Sequence, residues 1–408
     1  MTKVFIAGVG MTHFGNHQDR TLKDLVREAV TGALTDAGIL LEDIQGAYFG
    51  TACQGIMENQ HMIPGQVALG AMGLRGIPVV NVENACATGS TALHMAINHI
   101  KSGTADIVLA VGADKICSSD KAKSFSVFDA GWDVEHPATN IADLLDGYFD
   151  QKDISGDGRK RSVFMDIYYG MAKHHMDKYG TSARQLAVVA AKNHFHSTMN
   201  PKSQFQKNMT VEDVLAAPKV VGPLTIPMCA PISDGAAAAL VMSEKAAQRL
   251  ERKCIEVLAN SMRSNSKRDA RNYHQHLTHL AANEAYNEAG IGPKDISVAE
   301  VHDAAAFGEI IQSECLGFAP FGEGGALAES GATTLGGSIP INTSGGLESK
   351  GHPIGATGLG QIYELVTQLR GEAGKRQVDN ARFAIAENGG GIYGVEEATC
   401  CITILGKG

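Results

Sequence analysis

The sequence predicts a layered α/β protein made of two related halves, with a segment of different character inserted in the first. Three observations lead there. Short β-branched runs that end in glycine, such as VFIAGVG (4–10), IVLAVGAD (107–114) and FAIAENGGG (383–391), alternate with stretches of helical period, the order a doubly wound sheet requires. The chain also resembles itself. ALTDAGILLEDIQGAYFGTA (33–52) aligns without gaps onto AYNEAGIGPKDISVAEVHDA (285–304), matching at Ala33/Ala285, Ala37/Ala289, Gly38/Gly290, Ile39/Ile291, Asp43/Asp295, Ile44/Ile296, Ala47/Ala299 and Ala52/Ala304. Further on, in the same order, Ala87-Thr88-Gly89 recurs as Ala356-Thr357-Gly358, which reads as duplication. Finally, 116–210 carries most of the mixed charge, the pair Tyr168–Tyr169 and the sole tryptophan, Trp132. The halves are therefore expected over 1–115 plus 211–250 and over 251–408, with 116–210 as an excursion between them.

Taken in order, 4–10 reads as a strand and Leu22–Ala37 as a helix, its apolar residues recurring at helical spacing. VVNVENACATGSTALHMA (79–96) reads as an apolar strand, a tight turn at Asn84–Ala87 and a helix beginning near Gly89–Ser90, with its apolar period over Thr91–Lys101. A strand over 107–114 follows. After the excursion, Val211–Ala217 is helical, and a proline-bounded loop leads into a Gly/Ala-rich run ending near Ser243 that has the all-apolar texture of a buried strand. The second half repeats the scheme with helices over Leu277–Ala289 and Gly360–Gly371 and strands at Val298–Val301 and 383–391.

A chain of 408 residues with 44% hydrophobic content can bury sizeable cores. Forty-four acidic against 35 basic side chains give a net charge of −9, which argues against a nucleic-acid binder, whose affinity would come from a basic face. The longest apolar runs, Ile107–Ala113 and Ala236–Met242, reach about a third of the roughly 20 residues a membrane span needs. No signal-like apolar block opens the chain, so a cytoplasmic protein is expected. The eight cysteines (53, 86, 117, 229, 254, 315, 400, 401) form no CxxC pair. Reduced thiols are expected, with no metal held by this chain.

One thiol stands apart. Cys86 lies in a turn just ahead of a helix start, where unpaired N–H groups and the helix dipole favour thiolate. A nucleophile needs a base, and two histidines lie at strand-to-loop transitions: His302 in AEVHDAAAFGE (299–309) and His352 in NTSGGLESKGHPIGATG (342–358). If the halves pack about a pseudo-twofold axis, the loop ends converge and bring that thiol opposite these imidazoles. The other histidines lack such settings and are expected to be solvated or structural.

Cys86 in NACATGS, His302 in VHD and His352 in SGGLESKGHPIGATG together resemble the thiolase superfamily over nearly the whole chain. HMDKYGTSARQLAVVAAKNH (175–194), NPKSQF (200–205) and CAPISDGAAAA (229–239) are similar to its sterol-carrier-protein-type branch, which has His-Asp where other thiolases have Asn-Glu. The resemblance implies two βαβαβαββ halves in five layers, α/β/α/β/α, with a loop domain inserted in the first half. It also implies that Cys86 accepts the acyl group, that His352 activates it, that His302 binds the thioester oxygen, and that the Gly389 N–H joins that of Cys86 in a second oxyanion hole. Two departures stand out. The family's second, acid/base cysteine is replaced by Glu387 in ENGGG (387–391), and the alternative His-Asp-Cys position holds Ala304. Glu387 is the expected acid/base, with Glu309 and Tyr393 as competitors. Coenzyme A is implied as substrate, with Arg159-Lys160-Arg161 as the candidate site for its phosphates and Lys267, Arg268 and Arg271 as a second choice.

Three functions follow from these readings: a thiolase cleaving a 3-oxoacyl-CoA through acyl-Cys86, a retro-aldolase acting on a CoA thioester, and a non-catalytic acyl-CoA-binding scaffold. Cys86 favours the first. Thiolases lacking both acid/base cysteines resemble subunits that pair with a small zinc-ribbon/OB-fold protein, so such a partner is expected beside a homodimer. HDAAAFGE and ENGGGIYG are similar to the large subunit of thiolases that convert 2-benzoylsuccinyl-CoA to benzoyl-CoA and succinyl-CoA, and the small residues Ala304, Ala305 and Ala306 would leave room for an aromatic acyl group.

Overall fold

A computed structural model of the chain describes residues 2–136 and 161–407. Its apolar, glycine-punctuated runs form strands β1 (Val4–Met11), β2 (Gly46–Gly50), β3 (Val79–Val82) and β4 (Ile107–Asp114). After these, β5 (Lys219–Val221) and β6 (Leu224–Thr225) make a separate two-stranded ribbon. Strand β7 (Gly235–Ser243) returns to the main sheet, which β8 (Ile255–Ser264), β9 (Val298–Glu300), β10 (Phe383–Tyr393) and β11 (Glu396–Gly406) complete. Every residue of β7 is buried, as its all-apolar texture requires.

The nine main strands run in the order β3-β2-β4-β7-β1-β8-β11-β10-β9. Outward from the short antiparallel contact of Phe5–Ile6 with Ile255–Glu256, the two sides repeat one another. On one side β1-β7 and β7-β4 are antiparallel, and β4-β2 and β2-β3 are parallel. On the other, β8-β11 and β11-β10 are antiparallel and β10-β9 is parallel. Ile341, bridged in parallel to Ala299 of β9, stands where β3 stands beside β2. The duplication is thus present in strand order and strand sense, with a weaker outer strand in the second copy.

Helix α1 (Leu22–Ala37) covers the outside of β1 and β7, capped by Thr21 and ended by the left-handed Gly38. Helix α2 (Thr88–Lys101) follows β3. The excursion contributes α3 (Val163–Tyr179) and α4 (Ala183–Ser197), and the second half adds α5 (Leu277–Ala289), α6 (Ala306–Cys315) and α7 (Thr357–Arg370). Helix α5 covers β8 and β11 from outside, while α2 and α7 pack on each other and on strands of both halves. The layers are therefore helix, first half of the sheet, helix pair, second half of the sheet, helix. Leu359, Ile362, Leu365, Val366 and Leu369 of α7 are fully enclosed in that shared layer, each side chain contributing about 1.5–3 kcal/mol relative to exposure.

Helices α1 and α5 occupy the spans their period predicts, and α2 and α7 begin at the matched threonines Thr88 and Thr357, a residue before the start expected near Gly89–Ser90 and three residues before the periodic stretch at Gly360. Their first turns, TGS and TGL, are too small and polar to register as an apolar stripe, and smallness is what the packing there demands. A Cβ on Gly112 of β4 would lie 2.0 Å from the Gly355 carbonyl oxygen, and one on Gly89 would lie 2.8 Å from the same atom. The loop preceding α7 therefore rests directly on β4 and on the start of α2. Helices α3 and α4 share a core with α6 through Tyr168, Leu186, Phe307 and Ile310, so the excursion lies over the second half. Among the described residues no helix is long and apolar enough to cross a membrane.

Candidate active site

Cys86 occupies the turn between β3 and α2. Ala85 before it holds φ +46°, unusual for a residue with a side chain, and the turn is closed by the Ala87 N–H donating to Asn84 and that of Thr88 to Ala85. This presents the Cys86 sulfur 3.3 Å from Nε2 of His352. The His352 backbone N–H donates to Ser233 at 2.9 Å, and the neighbouring Gly355 N–H donates to Asp114 at 2.6 Å. Asp114 also takes N–H groups from Ala52 and Cys53 and the Thr51 hydroxyl, tying loops of both halves together.

The tautomer of His352 follows from hydrogen-bond counting. The Thr357 hydroxyl has one proton, and it goes to the Pro353 carbonyl at 3.0 Å. Thr357 Oγ1, 2.6 Å from His352 Nδ1, must then accept the ring N–H. The Nε2 lone pair is left facing the thiol, as a base for Cys86 requires.

His302 follows β9, its ring centroid 5.3 Å from that of His352. The Tyr168 hydroxyl of α3 lies 3.4 Å from Nδ1. Donation from Tyr168 leaves the ring proton on Nε2, which is buried with no hydrogen-bond partner among the described residues. Asp303 locks the two histidine loops together, accepting from the Leu347 N–H at 2.8 Å and from Asn193 of α4 at 3.0 Å. The sulfur of Cys86 and one nitrogen of each imidazole lie within 4.8 Å of one another, a spacing that would also suit a metal ion.

Burial sets the charge state. It pushes the Cys86 thiol up to about 12, the Asp114 charge adding to this while the N–H groups of Gly391 and of Cys86 itself oppose it. Burial lowers His302 to about 4 and, with the nearby His302 and Lys350, holds His352 well below its usual range. The resting pair is a neutral thiol donating to a neutral imidazole. The thiolate expected at a helix start is overruled, because desolvation of the sulfur outweighs the helix-end donors.

These groups open into a cavity of about 490 Å³. Phe125, Phe128, Phe164, Met165, Tyr168 and Met171 from the excursion form an apolar wall, and Ala304, Gly390 and Gly391 line it from the second half. Lys219 and Arg161 line it as well.

The structure brings Cys86, His302 and His352 together and leaves several other expected residues off the wall. Glu387 is fully buried, its carboxylate accepting from the His302 backbone N–H at 2.9 Å and from the Cys400 thiol at 3.8 Å. Strand alternation explains this: the next residue, Asn388, turns the other way and accepts from Ser90 of α2 at 2.8 Å. Gly389 shares the face of Glu387 and lies under Glu397, whereas Gly390 packs against the Asn84–Ala87 turn and the Gly391 N–H faces the sulfur. Glu309, a competitor for the acid/base role, is buried in an ion pair with Lys192 at 2.5 Å. Tyr393 is exposed, and Arg268 is buried against Glu396. Arg161 pairs with Asp166 at 2.7 Å, and Arg159 and Lys160 lie outside the described residues. Sequence reasoning missed Thr357, although it lies inside the repeated Ala-Thr-Gly, and Tyr168, noted only as one of a tyrosine pair. It also missed Cys53, Cys229 and Glu397, all on the cavity wall, for which no local pattern gives a signal.

Comparison with known proteins bears on the same site. The family profile described as Thiolase, N-terminal domain, matches residues 4–216, and that described as Thiolase C-terminal domain-like matches 259–406. Sterol carrier protein 2 of Homo sapiens is 40% identical over 400 residues, covering 95% of this chain and 70% of its own length. Acetyl-CoA acetyltransferase of Methanothermobacter thermautotrophicus is 38% identical over 399 residues, covering 97% of this chain and 98% of its own. Benzoylsuccinyl-CoA thiolase subunit BbsB of Thauera aromatica is 33% identical over 386 residues, covering 92% and 91%. Two solved structures share the fold. The Ltp2-ChsH2(DUF35) aldolase has a TM-score of 0.80 at 23% identity, covering 99% of this chain and 98% of its own. Human mitochondrial 3-ketoacyl-CoA thiolase in complex with CoA has a TM-score of 0.70 at 16% identity, covering 100% and 98%.

Proposed function

The chain belongs to the thiolase family and is an acyltransferase, and from that premise we propose that it cleaves a 3-oxoacyl-CoA bearing a bulky aromatic acyl group, with Cys86 taking up the acyl. The observation that carries this is the Cys86–His352 contact of 3.3 Å together with the tautomer that Thr357 imposes. His352 removes the thiol proton as the sulfur attacks the ketone carbon, so the thiolate exists only while it is being consumed. Negative charge that appears on that carbonyl oxygen is met by the N–H groups of Cys86 and of the glycine run, Gly391 being better placed for this than Gly389. The free Nε2–H of His302 meets the charge that then moves to the thioester oxygen of the leaving enolate. A preorganised donor of this kind contributes about 10²–10³ in rate. CoA then attacks the acyl-Cys86 thioester, and His352 returns its proton to the departing sulfur.

The apolar wall supports the choice of substrate, since a cavity of about 490 Å³ lined by Phe125, Phe128 and Phe164 accommodates an aryl group. 2-Benzoylsuccinyl-CoA, giving benzoyl-CoA and succinyl-CoA, fits this chemistry and agrees with the name of one relative. Lys219, exposed at the cavity and without an ion pair among the described residues, is available for its free carboxylate or for CoA phosphate. Arg161, and with it Arg159 and Lys160, is the second cationic candidate. A small zinc-ribbon/OB-fold partner and a homodimer complete the proposal, the partner being in keeping with a relative described as a subunit.

Replacement of Cys86 by serine tests the reaction class. A thiolase loses turnover of 3-oxo-3-phenylpropionyl-CoA by about 10³-fold or more, whereas a retro-aldolase, which needs no covalent sulfur, keeps most of its rate on a 3-hydroxyacyl-CoA.

A further inference from the structure

Cleavage through acyl-Cys86 leaves an enolate that needs a proton, and the residues expected in that role lie off the cavity wall: Glu387 has its carboxylate on the backbone of His302, Glu309 is paired with Lys192, and Tyr393 is exposed. Among the described residues two carboxylates line the cavity, Glu83 and Glu397. Glu83 is exposed; the side chain of Glu397 is only 12% exposed. Glu397 lies at the start of β11, opposite Ile392 of β10, and its Cγ sits 2.8 Å from where a Cβ on Gly389 would be. It therefore hangs beside the glycine run that carries the N–H groups around Cys86.

We propose that Glu397 is the acid and base that moves the enolate proton. Its two oxygens differ. Oε1 accepts from Gln312 Nε2 at 3.2 Å, while Oε2 is buried with no hydrogen-bond partner among the described residues. The imidazole at 3.8 Å from Oε2 belongs to His276, which burial keeps neutral. A carboxylate oxygen so placed is costly, and a proton on it removes the cost. Burial accordingly raises the Glu397 carboxyl, with the Glu396 charge adding and its own backbone N–H, Arg268 and Gln312 opposing. Its charge in turn acts on Cys86 and on Tyr168, so it is within electrostatic reach of the reacting sulfur. The wall thiols Cys53 and Cys229 are raised by the same burial, but that carries a thiol away from neutral pH and a carboxyl toward it, the direction an acid/base group needs.

The step balances. When the C2–C3 bond breaks, its electron pair stays on C2 of the CoA-bearing fragment, and the Glu397 carboxyl gives C2 its proton to release an acyl-CoA. The resulting carboxylate takes the thiol proton of the incoming CoA as its sulfur attacks acyl-Cys86, which restores the carboxyl.

This inference rests on the thiolase reading, and the test separates the two. Glu397→Gln keeps the shape of the side chain and removes the titratable proton. Incubated to end point with benzoyl-CoA, this variant reaches the wild-type extent of Cys86 benzoylation at a lower rate, since the departing CoA sulfur takes its proton from residue 397, and the unchanged end point together with an unchanged far-UV circular dichroism spectrum shows that the variant is folded. With acetyl-CoA in heavy water, deuterium incorporation at C2 falls by about 10²–10⁴-fold, as does cleavage of 3-oxo-3-phenylpropionyl-CoA, and Glu397→Asp recovers part of both. Exchange at the wild-type rate in Glu397→Gln overturns the assignment and leaves the thiolase reading standing. Absence of any acyl-Cys86 in the wild-type protein overturns the thiolase reading itself, and the assignment with it.

Discussion

A single hydroxyl proton decides how the candidate site works. Because Thr357 donates to Pro353, it can only accept from His352, and His352 can only present a lone pair to Cys86. Thr357→Val removes that acceptor while preserving shape, and is expected to slow Cys86 acylation about 10- to 100-fold with little effect on substrate KM, as stopped-flow acylation with benzoyl-CoA would read. The charge state makes a second prediction. With the thiol raised to about 12 and His352 lowered, thiolate is a minor form throughout the working range. Its fraction rises tenfold for each pH unit below that value, so alkylation of Cys86 by iodoacetamide should climb log-linearly from pH 7 to pH 10. A plateau reached near pH 6 would mean a thiolate–imidazolium pair instead. At this scale the sequence was legible where chemistry and local conformation coincide: Cys86 in its turn, His352 between glycines, His302 at a strand end. Glu397 and Tyr168 reach the cavity through a hairpin and through a helix of the excursion, and nothing adjacent to either in the chain marks that arrival.

The elements decide which side chains of a motif face the cavity. ENGGG was readable as the run beside the nucleophile, but which residues of β10 look toward α2 depends on strand parity, fixed by the pairing of Glu387 with Ile402 and Gly389 with Cys400. That register comes from the whole hairpin, which is why the acid/base role was expected of Glu387 when Glu397 of the paired strand lines the cavity, and the N–H role of Gly389 when that of Gly391 faces the sulfur. The helix starts make the same point, for Thr88 and Thr357 begin α2 and α7 where tight packing, and no apolar stripe, demands small residues. Gly112 tests this layer. An alanine there meets the Gly355 carbonyl at 2.0 Å, so the loop bearing His352 must move. Gly112→Ala is expected to cost about 1–3 kcal/mol of stability, measured as a lower urea midpoint, and to slow acylation of Cys86 although it touches neither partner.

At the scale of the whole molecule, the two copies share one helix layer, and neither sheet half can be left without α2 and α7 exposing enclosed apolar surface. The halves are therefore expected to unfold together, with one coincident transition by far-UV circular dichroism and calorimetry; two resolved transitions would mean that the copies are separately stable. Duplication was legible because the 33–52 and 285–304 segments and the two Ala-Thr-Gly turns kept their order. The weak outer strand at Ile341 and the packing of the excursion over α6 were not, since both arise from contacts distant in the chain.

That shared layer is also what lets a sulfur from one copy meet an imidazole from the other, and the claim is tested most directly by mass. The wild-type protein, incubated with 3-oxo-3-phenylpropionyl-CoA and quenched in acid, should carry one benzoyl group that peptide mapping assigns to Cys86 and that added CoA removes. A protein that cleaves the compound while its Cys86 peptide stays unmodified at every quench time would contradict the account.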